Sequence, residues 1–195
     1  MISAAPQRHL YLIGFMGTGK SAVGAPLSIR LKRHFIDLDE MVSAMQRRPV
    51  RDIFRLDGEE RFRIYEARAL RLVAAAPRMV IALGGGAPTI VQVANIARQT
   101  GRTVWLTARW ELIWERVRHD LESRPLLEPL LPNTSAVDDQ ARFRQFQTLA
   151  EPLYRQRESA YAAMADLVID TSDRSVEDVV DQIAALCREW FPERF

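Results

Sequence analysis

Eight residues near the start of the chain, Gly14-Phe-Met-Gly-Thr-Gly19-Lys20-Ser21, satisfy the pattern G-x-x-x-x-G-K-[ST] at every fixed position. Their surroundings fit as well. The apolar run Leu10 to Ile13 before them reads as a buried strand, and Ser21 to Arg33 after them reads as a helix, with Pro26 in its early turns. A strand, a glycine turn and a helix in this order build a phosphate-binding loop. Glycines let backbone N–H groups turn inward around phosphate oxygens. The helix start adds roughly half a positive charge. Lys20 is suited to neutralise the β- and γ-phosphates, and the Ser21 hydroxyl to ligate Mg²⁺. Gly17, Thr18, Gly19, Lys20, Ser21 and Ala22 are therefore the expected nucleotide contacts.

The rest of the chain keeps the same rhythm. Short apolar runs at Phe35-Ile36, Met79 to Leu83, Thr103 to Leu106 and Leu167 to Ile169 read as strands. Between and after them, segments 40–46, 50–56, 59–75, 89–99, 110–119, 143–164 and 176–190 read as helices. Residues 121–142, rich in Pro, Asn, Ser and Asp, read as a loop. Strands alternating with helices imply an α/β fold, a parallel sheet covered by helices on both faces. With 195 residues, 48% of them hydrophobic, one domain over 1–195 is expected.

Composition narrows the function. A net charge of +2 is no footprint for nucleic acid, so basic residues should act as local anion contacts. No apolar run reaches the roughly 18–20 residues of a membrane span, and residues 1–9 hold no long apolar segment. The single cysteine, Cys187, lies in an apolar-periodic segment and is expected in the core. A soluble cytoplasmic protein is the expectation.

A phosphate loop alone does not separate kinases from GTPases, ATPases or motor domains, although no N-K-x-D guanine signature is visible and the chain is short for most motor domains. Asp37-Leu-Asp39 follows the second strand and brings two carboxylates close to the loop. Asp37 suits Mg²⁺ held through water, and Asp39 suits orienting and deprotonating an attacking hydroxyl. The plain alternative is a polar turn capping a helix. In Asp57-Gly-Glu-Glu-Arg-Phe62-Arg63-Ile-Tyr-Glu66, Arg63 and Glu66 stand three apart and can pair. An arginine stiffened in this way meets a carboxylate with its planar fork. Gly84-Gly85-Gly86 ends the third strand at the carboxyl edge of the sheet, where backbone N–H groups can approach a small ligand.

The loop ending G-K-S, D-x-D after the second strand, D-G-E-x-x-F-R-x-x-E, and G-G-G after the third strand together resemble the shikimate kinase family, from about His9 to Ile183. The resemblance implies a nucleoside-monophosphate-kinase-like P-loop fold: a three-layer sandwich with a five-stranded parallel sheet and a mobile lid, about 121–156. It implies transfer of the γ-phosphoryl of ATP, with Mg²⁺, to the 3-hydroxyl of shikimate on the route to chorismate, by a monomer. Carried over by position, Asp39 binds the ring hydroxyls and serves as base, and Asp37 with Ser21 supports Mg²⁺. Arg63 grips the shikimate carboxylate and Glu66 braces it. Gly85 and Gly86 offer backbone contacts, and Phe54 and Phe62 wall the ring.

Arg124-Pro-Leu-Leu127 matches the family's lid motif, whose arginine reaches the ATP phosphates. Arg116 or Arg118 on the preceding helix flanks the adenine, and Arg118 joins the nucleotide set with that choice open. A second carboxylate-binding arginine belongs to a pattern R-x-x-L-Y before an A-D and the last strand. Pro152-Leu-Tyr154 competes for that place, but Ala150 stands where the arginine should be. Arg157-Glu-Ser-Ala-Tyr161 keeps the distance to Ala165-Asp166, so Arg157 is chosen, with a lid longer than in compact members. Two other readings stand beside this one: a gluconate-type kinase, which lacks the triple glycine and the F-R-x-x-E helix, and an idle ligand-sensing domain, which would not need the full residue set.

Overall fold

A computed structural model describes residues 9–122, 124–130 and 138–192. Its centre is a five-stranded sheet of order β2-β3-β1-β4-β5, parallel throughout. The strands are β1 (His9–Ile13), β2 (His34–Asp37), β3 (Met79–Ala82), β4 (Gly101–Thr107) and β5 (Leu167–Asp170). The helices are α1 (Lys20–Arg30), α2 (Leu38–Gln46), α3 (Val50–Ala74), α4 (Val91–Thr100), α5 (Trp110–Val117), α6 (Asp139–Met164) and α7 (Val176–Trp190). Short 3-10 turns cover Ala87–Thr89 and Pro125–Leu130. Among the described residues no helix is long and apolar enough to cross a membrane.

Every residue of β1 is buried, because helices cover both faces of the central strand. Alternation then sorts its side chains. Tyr11 and Ile13 join Ile81, Trp105 and residues of α2, α3 and α4 on one face. Leu10 and Leu12 join Val80, Val104 and residues of α1 and α7 on the other, with Cys187 in that core as expected. Truncating any of these fully buried aliphatics to alanine costs about 2–5 kcal/mol.

The expected break between 50–56 and 59–75 is present as a kink inside α3. Gly58 sits there at φ 81°, ψ 166°, a backbone that side-chain-bearing residues rarely adopt. Two expectations shift. Helix α2 begins at Leu38, directly after β2 and ahead of the expected start at 40, so Asp39 lies in its first turn. Helix α6 begins at Asp139, where a loop was expected to run to 142, and continues through the helix expected from 143, so much of the lid span is helical, with Pro152 accommodated inside. Residues 131–137 of that span lie outside the described residues. A third core, with Phe15, Trp114, Leu127 and Phe146, joins this region to the phosphate loop.

Candidate active site

Parallel strands put all their carboxyl ends at one edge, and the site is assembled there. The loop after β1 is drawn tight. Gly14 has φ 143°, and a Cβ there would overlap the Leu106 carbonyl oxygen. Four of the loop's carbonyls are held by side-chain donors. Lys20 Nζ donates to Gly14 O and Phe15 O, both at 3.0 Å. Arg116 Nη1 donates to Gly17 O at 2.9 Å, and Thr171 Oγ1 to Thr18 O at 3.2 Å. With those carbonyls turned to protein donors, the loop can offer N–H groups to the cavity, which is what an anion requires. Burial lowers the pKa of Lys20, while Asp39 and Asp37 raise it.

A cavity of about 1090 Å³ lies over this loop. Gly17, Thr18, Gly19, Lys20, Ser21, Ala22, Asp37, Asp39 and Arg124 all line it. Asp37 caps α2, its Oδ1 accepting from the Asp39 N–H at 3.0 Å, while its Oδ2 accepts from Ser21 Oγ at 2.6 Å. The plain reading of D-x-D as a helix cap is thus also true. Ser21 and Asp37 form an oxygen pair beside Lys20, a donor set that fits a hard divalent cation keeping several waters. Asp39 is half-buried, but its Oδ1 is enclosed and has no hydrogen-bond partner among the described residues. Burial and then the Asp37 charge push its pKa up to about 6, against the pull of Lys20, Arg63 and Arg124.

The acceptor cluster adjoins Asp39. Glu66 is fully buried, and its Oε2 accepts from Arg63 Nη1 at 2.5 Å. Glu59 Oε1 takes Arg63 Nη2 at 2.6 Å, so the guanidinium is held from two sides. Beneath it lie Phe54 and Phe62, with ring centroids 4.6 Å apart and the Arg63 carbon 5.9 and 5.6 Å from them. Burial raises the Glu66 pKa to about 7, while Arg63 lowers it. Arg157, buried on α6, has its Nη1 3.6 Å from the place a Gly85 Cβ would take. Its neighbour Tyr161 donates to Gly85 O at 2.5 Å. Arg155 is exposed and paired with Glu151 at 2.5 Å. Arg157 and not Arg155 therefore stands with Arg63, Gly85 and Gly86.

The two arginines left open by the sequence stand differently. Arg118 is tied to Asp139 at 2.8 Å and Glu115 at 3.5 Å and does not line the cavity, whereas Arg116 does. Arg116 and Arg118 stand two apart at the end of α5, so they point to different sides of the helix. Lining residues that sequence reasoning missed are Thr171, Arg174, Ser175 and Val176. Their signal was position: they follow the last strand at the ligand-binding edge. Arg124 has its Nε enclosed without a hydrogen-bond partner among the described residues, and burial lowers its pKa.

Loop, carboxylates and sheet order are together those of a P-loop kinase, which brings a nucleotide phosphate and an acceptor hydroxyl to one edge. The family model described as shikimate kinase matches residues 16–188. The shikimate kinase of Geobacter sulfurreducens is 42% identical over 182 residues, covering 93% of this chain and 92% of that one. That of Symbiobacterium thermophilum is 38% identical over 182 residues, covering 93% and 97%. Among solved structures, the shikimate kinase of Acinetobacter baumannii in complex with shikimate superposes with a TM-score of 0.81 at 27% identity, covering 95% of this chain and 96% of that one. The chain belongs to the shikimate kinase family and is an ATP-dependent kinase.

Proposed function

We propose that this chain transfers the γ-phosphoryl of ATP to the 3-hydroxyl of shikimate, giving shikimate 3-phosphate and ADP in aromatic amino acid biosynthesis. The observation that carries the reading is the place of Asp39, between the phosphate loop and the arginine cluster. One carboxylate thus borders both the site for a nucleotide and the site for a ring acid.

The geometry supports the following roles. The amides of Gly17, Thr18, Gly19, Ser21 and Ala22 receive the phosphates, and Lys20 and Arg124 balance charge on the transferring group. Arg63 and Arg157 hold the shikimate carboxylate, with Glu66 fixing Arg63. Phe54 and Phe62 limit the ring, and the backbones of Gly85 and Gly86 contact it. Asp39 aligns the 3-hydroxyl and takes its proton as the new O–P bond forms and the P–O bond to ADP breaks. Because the transition state is loose, alignment contributes more than base strength. Ser21 and Asp37 would hold Mg²⁺, which when bound neutralises phosphate charge and orients the oxygens. Arg116 replaces Arg118 as the arginine proposed for the adenine end.

The buried, unpaired Cys187 suits a reducing compartment, and we place the enzyme in the cytoplasm as a monomer. ADP release measured with shikimate, quinate and gluconate tests the substrate. Shikimate should support turnover at least about tenfold faster than the others, since a lost contact of 1.4 kcal/mol is tenfold in rate. Release that ignores all three acids sinks the proposal.

A further inference from the structure

Gly84 is the member of the triple glycine that neither the phosphate loop nor the acceptor contacts put to use. Its backbone does not require glycine. The described glycines with positive φ are Gly14, Gly17, Gly19 and Gly58, so an L-residue could take the conformation at 84 without strain. What glycine supplies there is room.

A Cβ at position 84 would overlap Glu66 Oε1 and lie 2.5 Å from Asp39 Oδ1 and 3.3 Å from Asp39 Cγ. Two carboxylates from two different helices, α2 and α3, converge on this one Cα. Both converging oxygens are enclosed and lack a hydrogen-bond partner among the described residues. Contacts nearby fix the side chain of Glu66 and the backbone of Asp39. Arg63 holds the other oxygen of Glu66 at 2.5 Å, and Asp37 fixes the first turn of α2 through the Asp39 N–H at 3.0 Å. The next glycine differs: a Cβ at Gly85 would meet nothing nearer than 3.6 Å, an ordinary contact.

We infer that Gly84 is a positioning residue for phosphoryl transfer, its bare Cα leaving the space in which Asp39 stands in line with the acceptor while Glu66 keeps its hold on Arg63. The inference rests on the reading of Asp39 as the aligning base. It extends that reading from the groups that touch substrate to the gap between them.

Gly84→Ala tests it. The overlapped atoms are the ends of side chains, which can turn aside, so the variant should fold with Tm close to the wild type. Turning aside moves Asp39, and kcat with shikimate should fall at least about tenfold, a fraction of the effect of losing a general base outright. KM for ATP should stay within about twofold. The decisive measurement is the double variant. If Gly84 acts through Asp39, adding Gly84→Ala to Asp39→Asn should lower kcat little further, because residues acting as a unit are not additive.

Wild-type kcat in Gly84→Ala, or losses that multiply in the double variant, overturns the inference. A Gly84→Ala chain that fails to fold overturns it too, since the space would then serve stability and not alignment. The wild type measured alongside separates the two levels. No shikimate-dependent turnover by the wild type defeats the functional reading itself, whereas an active wild type beside an unaffected Gly84→Ala defeats only the role of Gly84.

Discussion

Ser21 Oγ donates to Asp37 Oδ2 at 2.6 Å, tying the first turn of α1 to the end of β2. The contact places two oxygen ligands of the kind Mg²⁺ prefers side by side, one from each element. Asp39 lies on the same turn of α2 but turns its enclosed oxygen toward Gly84. The two carboxylates should therefore fail differently. Asp37→Asn should raise the Mg²⁺ needed for half-maximal rate, and excess metal should partly restore turnover. Asp39→Asn should lower kcat by at least about 10²-fold, with no rescue by metal. Measuring kcat of both variants across a magnesium titration decides the assignment, and the reverse pattern means the roles are exchanged.

The arginines give a second contrast. Arg63→Ala and Arg157→Ala should each raise KM for shikimate, since a charge-assisted hydrogen bond is worth about 1.5–3 kcal/mol, or roughly 10- to 150-fold. KM for ATP should change far less. Arg155→Ala should be nearly silent, because Arg155 is an exposed partner of Glu151. A silent Arg157→Ala beside an impaired Arg155→Ala contradicts the placement of the acceptor carboxylate.

Buried Glu66 makes stability depend on pH. Its folded pKa is raised to about 7, from 4.5 for the free side chain, with burial the main cause. Between those values the folded chain keeps a proton that the unfolded chain has lost. By linkage, this contribution to stability is full below about 4.5 and is lost as pH rises toward about 7. Glu66→Gln cannot ionise, so the drop in Tm between pH 5 and pH 8 should be smaller in the variant than in the wild type. Asp39 adds a slope of the same sign in both chains and does not cancel the difference. Equal drops in the two chains would mean that Glu66 is not held protonated by its surroundings.

Much of this was legible in the sequence because the sheet is parallel and covered on both faces. Its strands then read as short continuous apolar runs, and β1 through β5 fall where those runs stand. The phosphate loop was legible because its chemistry leaves few alternatives at Gly14, Gly19, Lys20 and Ser21. Choosing between Arg116 and Arg118 was not, because both end the same helix and their partners, Gly17 O for one and Asp139 for the other, are remote in sequence. The start of α2 was read late, at 40, because the spacing of Asp37 and Asp39 hides a helix that starts at once, with Asp37 as its cap. The separate duties of Gly84, Gly85 and Gly86 depend on side chains arriving from α2, α3 and α6, which no local pattern encodes.

The central claim is that Asp39 aligns one particular hydroxyl of a ring acid held by Arg63 and Arg157. The most direct measurement is the position of the phosphate on the product. Shikimate and ATP are incubated with the wild type and Mg²⁺, and the product is examined by phosphorus and proton NMR. The account predicts one monophosphate, with the phosphorus coupled to the proton at carbon 3, formed in step with ADP. A mixture of phosphorylated positions, or ADP released with only inorganic phosphate, would contradict it.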